Sequence, residues 1–147
     1  PFGQRGVGLA RAQKYGFGFE NYRDKKAKEI KLIAQIEHIE AINQLEDIIQ
    51  VEGIDGTFIG PYDLSGSMGK PGQYDDDDVK EALKKYEHIA RKYDKWIGFH
   101  VVKPDYRRVI EKISNGYNFI AFSLDTMFLG FACQNQLNEL KKSIKNL

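Results

Sequence analysis

Residues 53–65, Gly53-Ile-Asp-Gly-Thr-Phe-Ile-Gly-Pro-Tyr-Asp-Leu-Ser65, decide how the chain is read. Thr57-Phe-Ile59 is a short apolar run bounded by Gly56 and Gly60, which predicts a core strand ending at a Gly-Pro turn. The groups just past that turn are Tyr62 and Asp63, so a carboxylate stands where a strand stops. Upstream, Ile30 to Ile36 is a β-branched run that ends in the polar pair Gln35 and Glu37, and it reads as a second buried strand with a polar C-terminal end. Between the two, Ile39, Ile42, Leu45, Ile48 and Ile49 recur at helical spacing, and Gly53 takes the position of a C-cap glycine.

The pattern repeats downstream. Val79, Ala82, Leu83, Tyr86, Ile89, Ala90 and Tyr93 predict a helix whose N-terminus carries the acidic run Asp75 to Asp78, a complement to the helix dipole. Trp96 to Val102 predicts a third strand, followed by Pro104 at a first helical position, a helix bearing Val109, Ile110 and Ile113, and Gly116 just past its end. Tyr117 to Leu124 makes a fourth strand. Phe128, Leu129, Ala132, Leu137, Leu140 and Ile144 then mark a last amphipathic helix. Four strand-helix units with nearly continuous apolar strands imply an α/β fold on a parallel sheet. Two architectures fit: a small doubly wound sheet, or the C-terminal half of a (β/α)8 TIM barrel, which in full needs on the order of 250 residues. Either way the chemistry belongs just beyond the C-terminal ends of the strands.

Composition narrows the ligand. Of 147 residues, 22 are Lys or Arg and 21 Asp or Glu, so a net charge of +1 gives no field that would gather nucleic acid or an anionic membrane. A small molecule is the expected partner. No apolar run approaches the roughly 20 residues of a bilayer span, and no targeting segment is visible; a cytoplasmic setting fits. The single Cys133 sits in a helical pattern, where a small buried thiol is expected. The chain opens at Pro1 in a Gly-rich stretch that reads as a loop already under way, so 1–147 is read as a partial domain. Gly3, Gly6 and Gly8 have no strand ahead of them and make a poor phosphate cradle; Arg5 and Arg11 are read equally well as ligand contacts or as surface residues.

The strand ends collect Gln35 and Glu37, then Gly60, Pro61, Tyr62 and Asp63, then His100, then Ser123 and Asp125. A hard divalent cation takes oxygen ligands in near-octahedral geometry, and two carboxylates on adjacent strand ends leave positions open for substrate and water. Glu37 and Asp63 are the natural pair, with helix capping as the bland alternative for each. His38 reads as a helix-start residue that also adjoins the pair, and His88 as a solvated helix residue.

Gln35-Ile-Glu37, the stretch Gly53 to Ser65, Met68-Gly69 behind it, and Arg5-Gly-Val-Gly8 with Ala10-Arg-Ala12 upstream together resemble the signatures of the HpcH/HpaI aldolase/citrate lyase family. The resemblance implies a (β/α)8 barrel that reversibly cleaves a 4-hydroxy-2-oxo acid into pyruvate and an aldehyde with Mg2+, Mn2+ or Co2+. It implies metal ligation by Glu37 and Asp63, and a Gln35 hydrogen bond near the pyruvate oxygens. The pyruvate carboxylate would rest on the backbone N–H groups around Tyr62 and Asp63, beside Gly60 and Pro61. Tyr62 stands where many relatives carry a small residue and would narrow the mouth of the site or offer a hydroxyl to the aldehyde; His100 falls where relatives shape the aldehyde pocket and is read as a specificity residue, with a satisfied barrel histidine as the alternative. The resemblance also places the general base, a histidine supported by an acid, and a substrate arginine on strands that precede this sequence, so this segment alone is expected to be a weak catalyst. It implies a homo-oligomer, commonly a hexamer. A citryl-lyase or phosphoenolpyruvate-type lyase of the same superfamily, and a non-catalytic α/β binding domain, are the alternatives.

Overall fold

The structure, a computed structural model, describes residue 6 and residues 8–145; Gly3 and Arg5, considered above, lie outside the described residues. The chain forms two compact units, the first running to Lys31 and the second from Leu32 onward. In the first, a turn of 3-10 helix at Arg11–Gly16 carries Lys14 and Tyr15 in the left-handed region, and Gln13 is buried with its side-chain amide donating to the Gly8 carbonyl. A helical segment follows through Phe19–Asn21, Tyr22–Lys26 in π-helical register, and Ala27–Glu29. Arg11 is exposed.

The second unit holds the strands β1 (Ile33–Ile36), β2 (Gly56–Ile59), β3 (Trp96–Val101) and β4 (Phe119–Phe122), all parallel, in the spatial order β1-β2-β3-β4. That order decides between the two architectures. A doubly wound sheet reverses its strand order at a switch point and carries helices on both faces, whereas sequential right-handed crossovers lay every helix on one face, as in an arc of a barrel. Six helices make or follow the crossovers: α1 (Ile39–Asn43), α2 (Leu45–Gln50), α3 (Pro61–Ser67), α4 (Asp77–Ala90), α5 (Tyr106–Ser114) and α6 (Asp125–Ile144). Among the described residues no helix is long and apolar enough to cross a membrane.

Strand alternation puts Ile36, Ile59 and Ile97 on the helix-covered face, where they pack with Ile42, Leu45, Ile49, Leu64, Ala82, Tyr86, Ile89, Ala90 and Tyr117. The Tyr86 hydroxyl reaches the buried Thr57 hydroxyl at 3.0 Å, so the polar end of the largest core side chain is not left bare. The opposite face carries Gln35, Phe58, Trp96, Gly98, His100 and Phe119. There Phe119 stacks on Trp96 at 5.9 Å and meets Phe58 edge-on at 5.9 Å. Glycine is required under that layer at Gly98: a Cβ there would lie 2.5 Å from the Phe58 ring and 2.8 Å from the Thr57 carbonyl.

Several boundaries differ from the sequence reading, each for a local reason. β1 starts at Ile33 rather than Ile30, because its one neighbour, β2, begins pairing at Gly56 opposite Ile33; Ile30 and Leu32 are exposed. The helix expected after it breaks at Gln44 into α1 and α2, and Gly53 lies in the following turn with φ +91°, the cap position itself being Val51. Pro104 is outside α5, because Asp105 is the cap residue, its carboxylate accepting from the Arg107 N–H at 3.0 Å. β3 ends at Val101, and β4 covers only the centre of 117–124, since Tyr117 turns into the core and meets Phe99 edge-on at 5.2 Å. Gly116 does follow α5, with φ +83°, and Asp76 to Asp78 do open α4, Asp76 capping it through the N–H groups of Asp78 and Val79. Cys133 is exposed, not buried: among the described residues α6 buries none of its own side chains, Cys133 included.

Candidate functional site

The site grows from the pairing of β1 with β2. Ile36 is registered with Ile59, and the Gly60 N–H donates to the Ile36 carbonyl at 3.0 Å, so Glu37 and Gly60 leave the sheet at the same level. Because Ile36 faces the core, alternation turns Gln35 and Glu37 to the other face. After Gly60 the chain enters α3 with Pro61 in its first turn, a position that suits a fixed φ and a missing N–H. Asp63 therefore lies in the first turn of α3.

The two carboxylates converge on one point. A Cβ built on Gly60 would lie 3.1 Å from Glu37 Cγ, 3.2 Å from Glu37 Oε1 and 3.5 Å from Asp63 Oδ2. Any side chain at residue 60 would thus fill the space between them. The capping alternative is not what the side chains do. His38, not Glu37, is the cap of α1, its Nδ1 accepting from the Glu40 N–H at 3.2 Å, and α3 has no side-chain cap at all. Glu37 Oε1 instead accepts from the Gln35 side-chain amide. Glu37 is half-buried and Asp63 exposed, so the pair opens to solvent on one side. Among the described residues no three or more His, Cys, Asp or Glu side chains are grouped to hold a metal ion. Two anionic oxygen donors set over a glycine are nonetheless the donor chemistry of a hard divalent cation whose other positions go to small oxygen ligands.

Around the pair stand groups that the sequence reading named and others it missed. Tyr62 is 59% exposed, and its ring lies 3.5 Å from where a Gly72 Cβ would be, so the loop after α3 backs it. Ser65, fully buried, ties that loop in place, donating to the Tyr62 carbonyl at 2.7 Å and accepting from the Gly72 N–H at 2.9 Å. Tyr74, which no motif marked, comes near enough to Tyr62 and Asp63 to feel them: burial, then its electrostatic contact with those two neighbours, push its phenol above the usual tyrosine range. Its only sequence signal was an aromatic residue in a Gly/Pro loop.

His100 is half-buried on β3, with its ring 6.3 Å from that of Phe58, and its Nε2 is a buried nitrogen with no hydrogen-bond partner among the described residues. An orphaned polar atom of this kind is uncommon and calls for a partner. His88 is exposed on α4. The remaining members of the strand-end ring have backbone duties: Ser123, at φ +60°, donates from its hydroxyl to the Val102 carbonyl at 2.7 Å, and Asp125 accepts from the Thr126 N–H at the start of α6.

The family model described as HpcH/HpaI aldolase/citrate lyase matches residues 4–130. A 2-keto-3-deoxy-L-rhamnonate aldolase of Escherichia coli (strain K12 / DH10B) is 38% identical over 148 residues, covering 99% of this chain and 54% of that protein. A solved HpcH/HpaI aldolase/citrate lyase family protein from Burkholderia cenocepacia J2315 superposes with a TM-score of 0.83 at 27% identity, over 96% of this chain and 54% of the other. The HpcH/HpaI aldolase from Desulfitobacterium hafniense DCB-2 does so with a TM-score of 0.73 at 28% identity, over 100% of this chain and 55% of that one. The chain spans about half the length of the curated relatives it matches.

Proposed function

Because the chain belongs to the HpcH/HpaI aldolase/citrate lyase family, we propose that its strand-end site serves reversible retro-aldol cleavage of a 4-hydroxy-2-oxo acid to pyruvate and an aldehyde, with Glu37 and Asp63 holding a divalent Mg2+, Mn2+ or Co2+ ion. The observation that carries this reading is the convergence of both carboxylates over Gly60. A divalent ion, when bound, supplies Lewis acidity for the negative charge that develops on the 2-oxo group as the carbon–carbon bond breaks.

The side chains divide the remaining work. Gln35 fixes the Glu37 carboxylate through its amide and keeps a second N–H for a substrate oxygen. The N–H groups of Tyr62 and Asp63, in the first turn of α3 where no intrahelical partner exists, are assigned the pyruvate carboxylate, with Gly60 and Pro61 shaping the turn beside it. Tyr62 and Tyr74 are assigned the wall toward the aldehyde, and the His100 Nε2 is assigned a polar contact to it. No proton-transfer step is assigned to His38, which caps α1, or to His88, which is exposed. The 38% identical aldolase named for 2-keto-3-deoxy-L-rhamnonate makes a 2-keto-3-deoxy sugar acid the first substrate to try. A homo-oligomer, hexameric by family resemblance, belongs to the same proposal.

Manganese binding followed by electron paramagnetic resonance, and pyruvate release from candidate substrates, test the reading in the whole protein. Glu37→Gln and Asp63→Asn are each expected to weaken manganese binding and to lower turnover on the order of 10²-fold or more. Gly60→Ala, whose methyl displaces the Glu37 carboxylate, is expected to weaken binding roughly tenfold. Manganese binding unchanged in both carboxylate variants would sink the site. A lack of aldol product from pyruvate with every aldehyde offered would sink the reaction. A second reading, condensation or cleavage of a citrate-like acid, is favoured by likeness to a solved citrate synthase variant at 25% identity and a TM-score of 0.66; turnover of such an acid in the same assay would select it.

A further inference from the structure

We propose that Ser67, the last residue of α3, is a positioning residue that sets the spacing between Glu37 and Asp63; this rests on reading those carboxylates as a cation site. One part-buried hydroxyl makes two bonds. Its Oγ donates to the Leu64 carbonyl at 2.7 Å and accepts from the Ile39 N–H at 3.0 Å. Leu64 directly follows Asp63, and Ile39 comes two residues after Glu37, so the hydroxyl bridges the two backbone segments that carry the carboxylates.

The bond to Ile39 is not incidental to helix α1. Ile39 is its first residue, and the N–H groups of a first turn have no partner inside their own helix. The cap residue His38 spends its side chain on the Glu40 N–H, which leaves the Ile39 N–H to be satisfied from outside. Ser67 does so across 28 residues of sequence.

On the near side of the site, the Gly60 N–H to Ile36 carbonyl bond ties the same two segments at the sheet. The carboxylates are thus held between two ties, one of sheet backbone and one of a side-chain hydroxyl. Ser65, two residues earlier, differs in what it joins: its hydroxyl connects α3 to the loop at Gly72 and never reaches α1. Loss of the Ser67 hydroxyl leaves the Ile39 N–H unpaired and frees the start of α1 to move against α3. A divalent cation with short, fixed oxygen distances tolerates little such movement.

Manganese affinity, measured by electron paramagnetic resonance titration without substrate, tests this in the whole protein with four variants. Ser67→Ala is expected to weaken manganese binding on the order of tenfold, the low end for groups that orient metal ligands, while Ser67→Thr, which keeps the hydroxyl, stays within about twofold of the unsubstituted protein. Asp105→Ala removes the α5 cap away from these segments; it is expected to lower Tm and leave manganese affinity unchanged. Unaltered affinity in Ser67→Ala, equal losses in Ser67→Ala and a folded Ser67→Thr, or an equal loss in Asp105→Ala would each overturn the proposal. Glu37→Gln separates the two levels. Binding that depends on Glu37 but not on Ser67 overturns this inference alone, and binding indifferent to Glu37 overturns the site reading together with it.

Discussion

The β1–β2 corner of the second unit and its β3–β4 edge are built from similar sequence patterns but packed very differently. All of the largest fully buried side chains, Tyr86, Ile36, Ile42, Leu45, Ile49, Ile59, Leu64, Val79, Thr57 and Ser65, belong to β1, β2 and helices α1 to α4. Helices α5 and α6 bury none, although both carry apolar residues at helical spacing. Ile113 on α5 and Leu140 on α6 are 56% and 55% exposed. Periodicity tells which side of a helix is apolar; it does not tell whether anything lies against that side. The two carboxylates of the candidate site rise from the corner that is packed, directly beside the fully buried Ile36, Ile59, Leu64 and Ser65. That placement suits a site whose geometry must be held closely.

The comparison is broken most directly by paired truncations. Tyr86→Ala removes a ring with no exposure from the corner and is expected to cost about 3–5 kcal/mol, the range for large aromatic truncations in a core. Leu140→Ala on α6 is expected to fall within about 0.5 kcal/mol, as surface substitutions do. Urea unfolding of both variants checks this; similar costs would erase the distinction between corner and edge.

A smaller effect follows from the same tyrosine at high pH. Burial, partly offset by the hydrogen bond shared with the Thr57 hydroxyl, pushes the Tyr86 phenol up to about 12. The folded state therefore holds this proton more tightly than the unfolded chain does, where a tyrosine titrates near 10. Its contribution is complete below about pH 10 and is lost as the pH rises from there toward 12, a change of about 2–3 kcal/mol if Tyr86 acts alone. Tyr117, also buried and hydrogen-bonded to Glu87 at 2.9 Å, is shifted upward and works in the same direction. Thermal unfolding between pH 8 and 12 in the parent and in Tyr86→Phe isolates the part due to Tyr86, since the variant should show a shallower alkaline decline.

Much of this was legible in the sequence. Four apolar runs with helical repeats between them gave the element order, and the strand order then chose the barrel arc over the doubly wound sheet. Gln35, Glu37, Gly60 and Asp63 were singled out because strand ends are few and their polar residues stand out against apolar runs, and the pairing of β1 with β2 brings them to one end of the sheet. Three features were hidden for physical reasons. Helix α3 has only seven residues and includes Gly66 and two serines, so it has no periodicity to detect. The break at Gln44 leaves the apolar spacing of α1 and α2 intact, and a continuous helix would show the same pattern. The Ser67 tie and the approach of Tyr74 to Asp63 depend on segments meeting in space, and no local rule predicts which hydroxyl will meet which amide. The expectation of a buried Cys133 failed for the same reason as the α6 packing: the sequence supplied an apolar side and the fold supplied no partner for it.

The mildest effect is expected at the rim of the packed corner, where Lys70, in the loop after α3, meets the start of α4. Its ammonium donates to Asp76 at 2.7 Å and also to Asp78. The hydrogen bond from Lys70, joined by the N–H groups of Val79 and Asp78, holds the Asp76 carboxyl below the usual carboxylate range. A depressed folded-state pKa stabilises the protein above the unfolded value, near 4, and that benefit is lost as the pH falls through the folded one. Lys70→Met removes the charge while keeping much of the stem, so Tm is expected to change little at pH 7, where water and salt screen such pairs. The difference should appear in acid. Between pH 5 and 2 the parent should lose Tm over a wider range than the variant, and Asp76→Asn should flatten the same limb. Identical acid profiles for the parent and Lys70→Met would mean that the ion pair contributes nothing to holding the loop, leaving the Ser65 hydroxyl and the backbone bond from the Lys70 N–H to the Ser65 carbonyl, at 2.8 Å, to anchor it against α3.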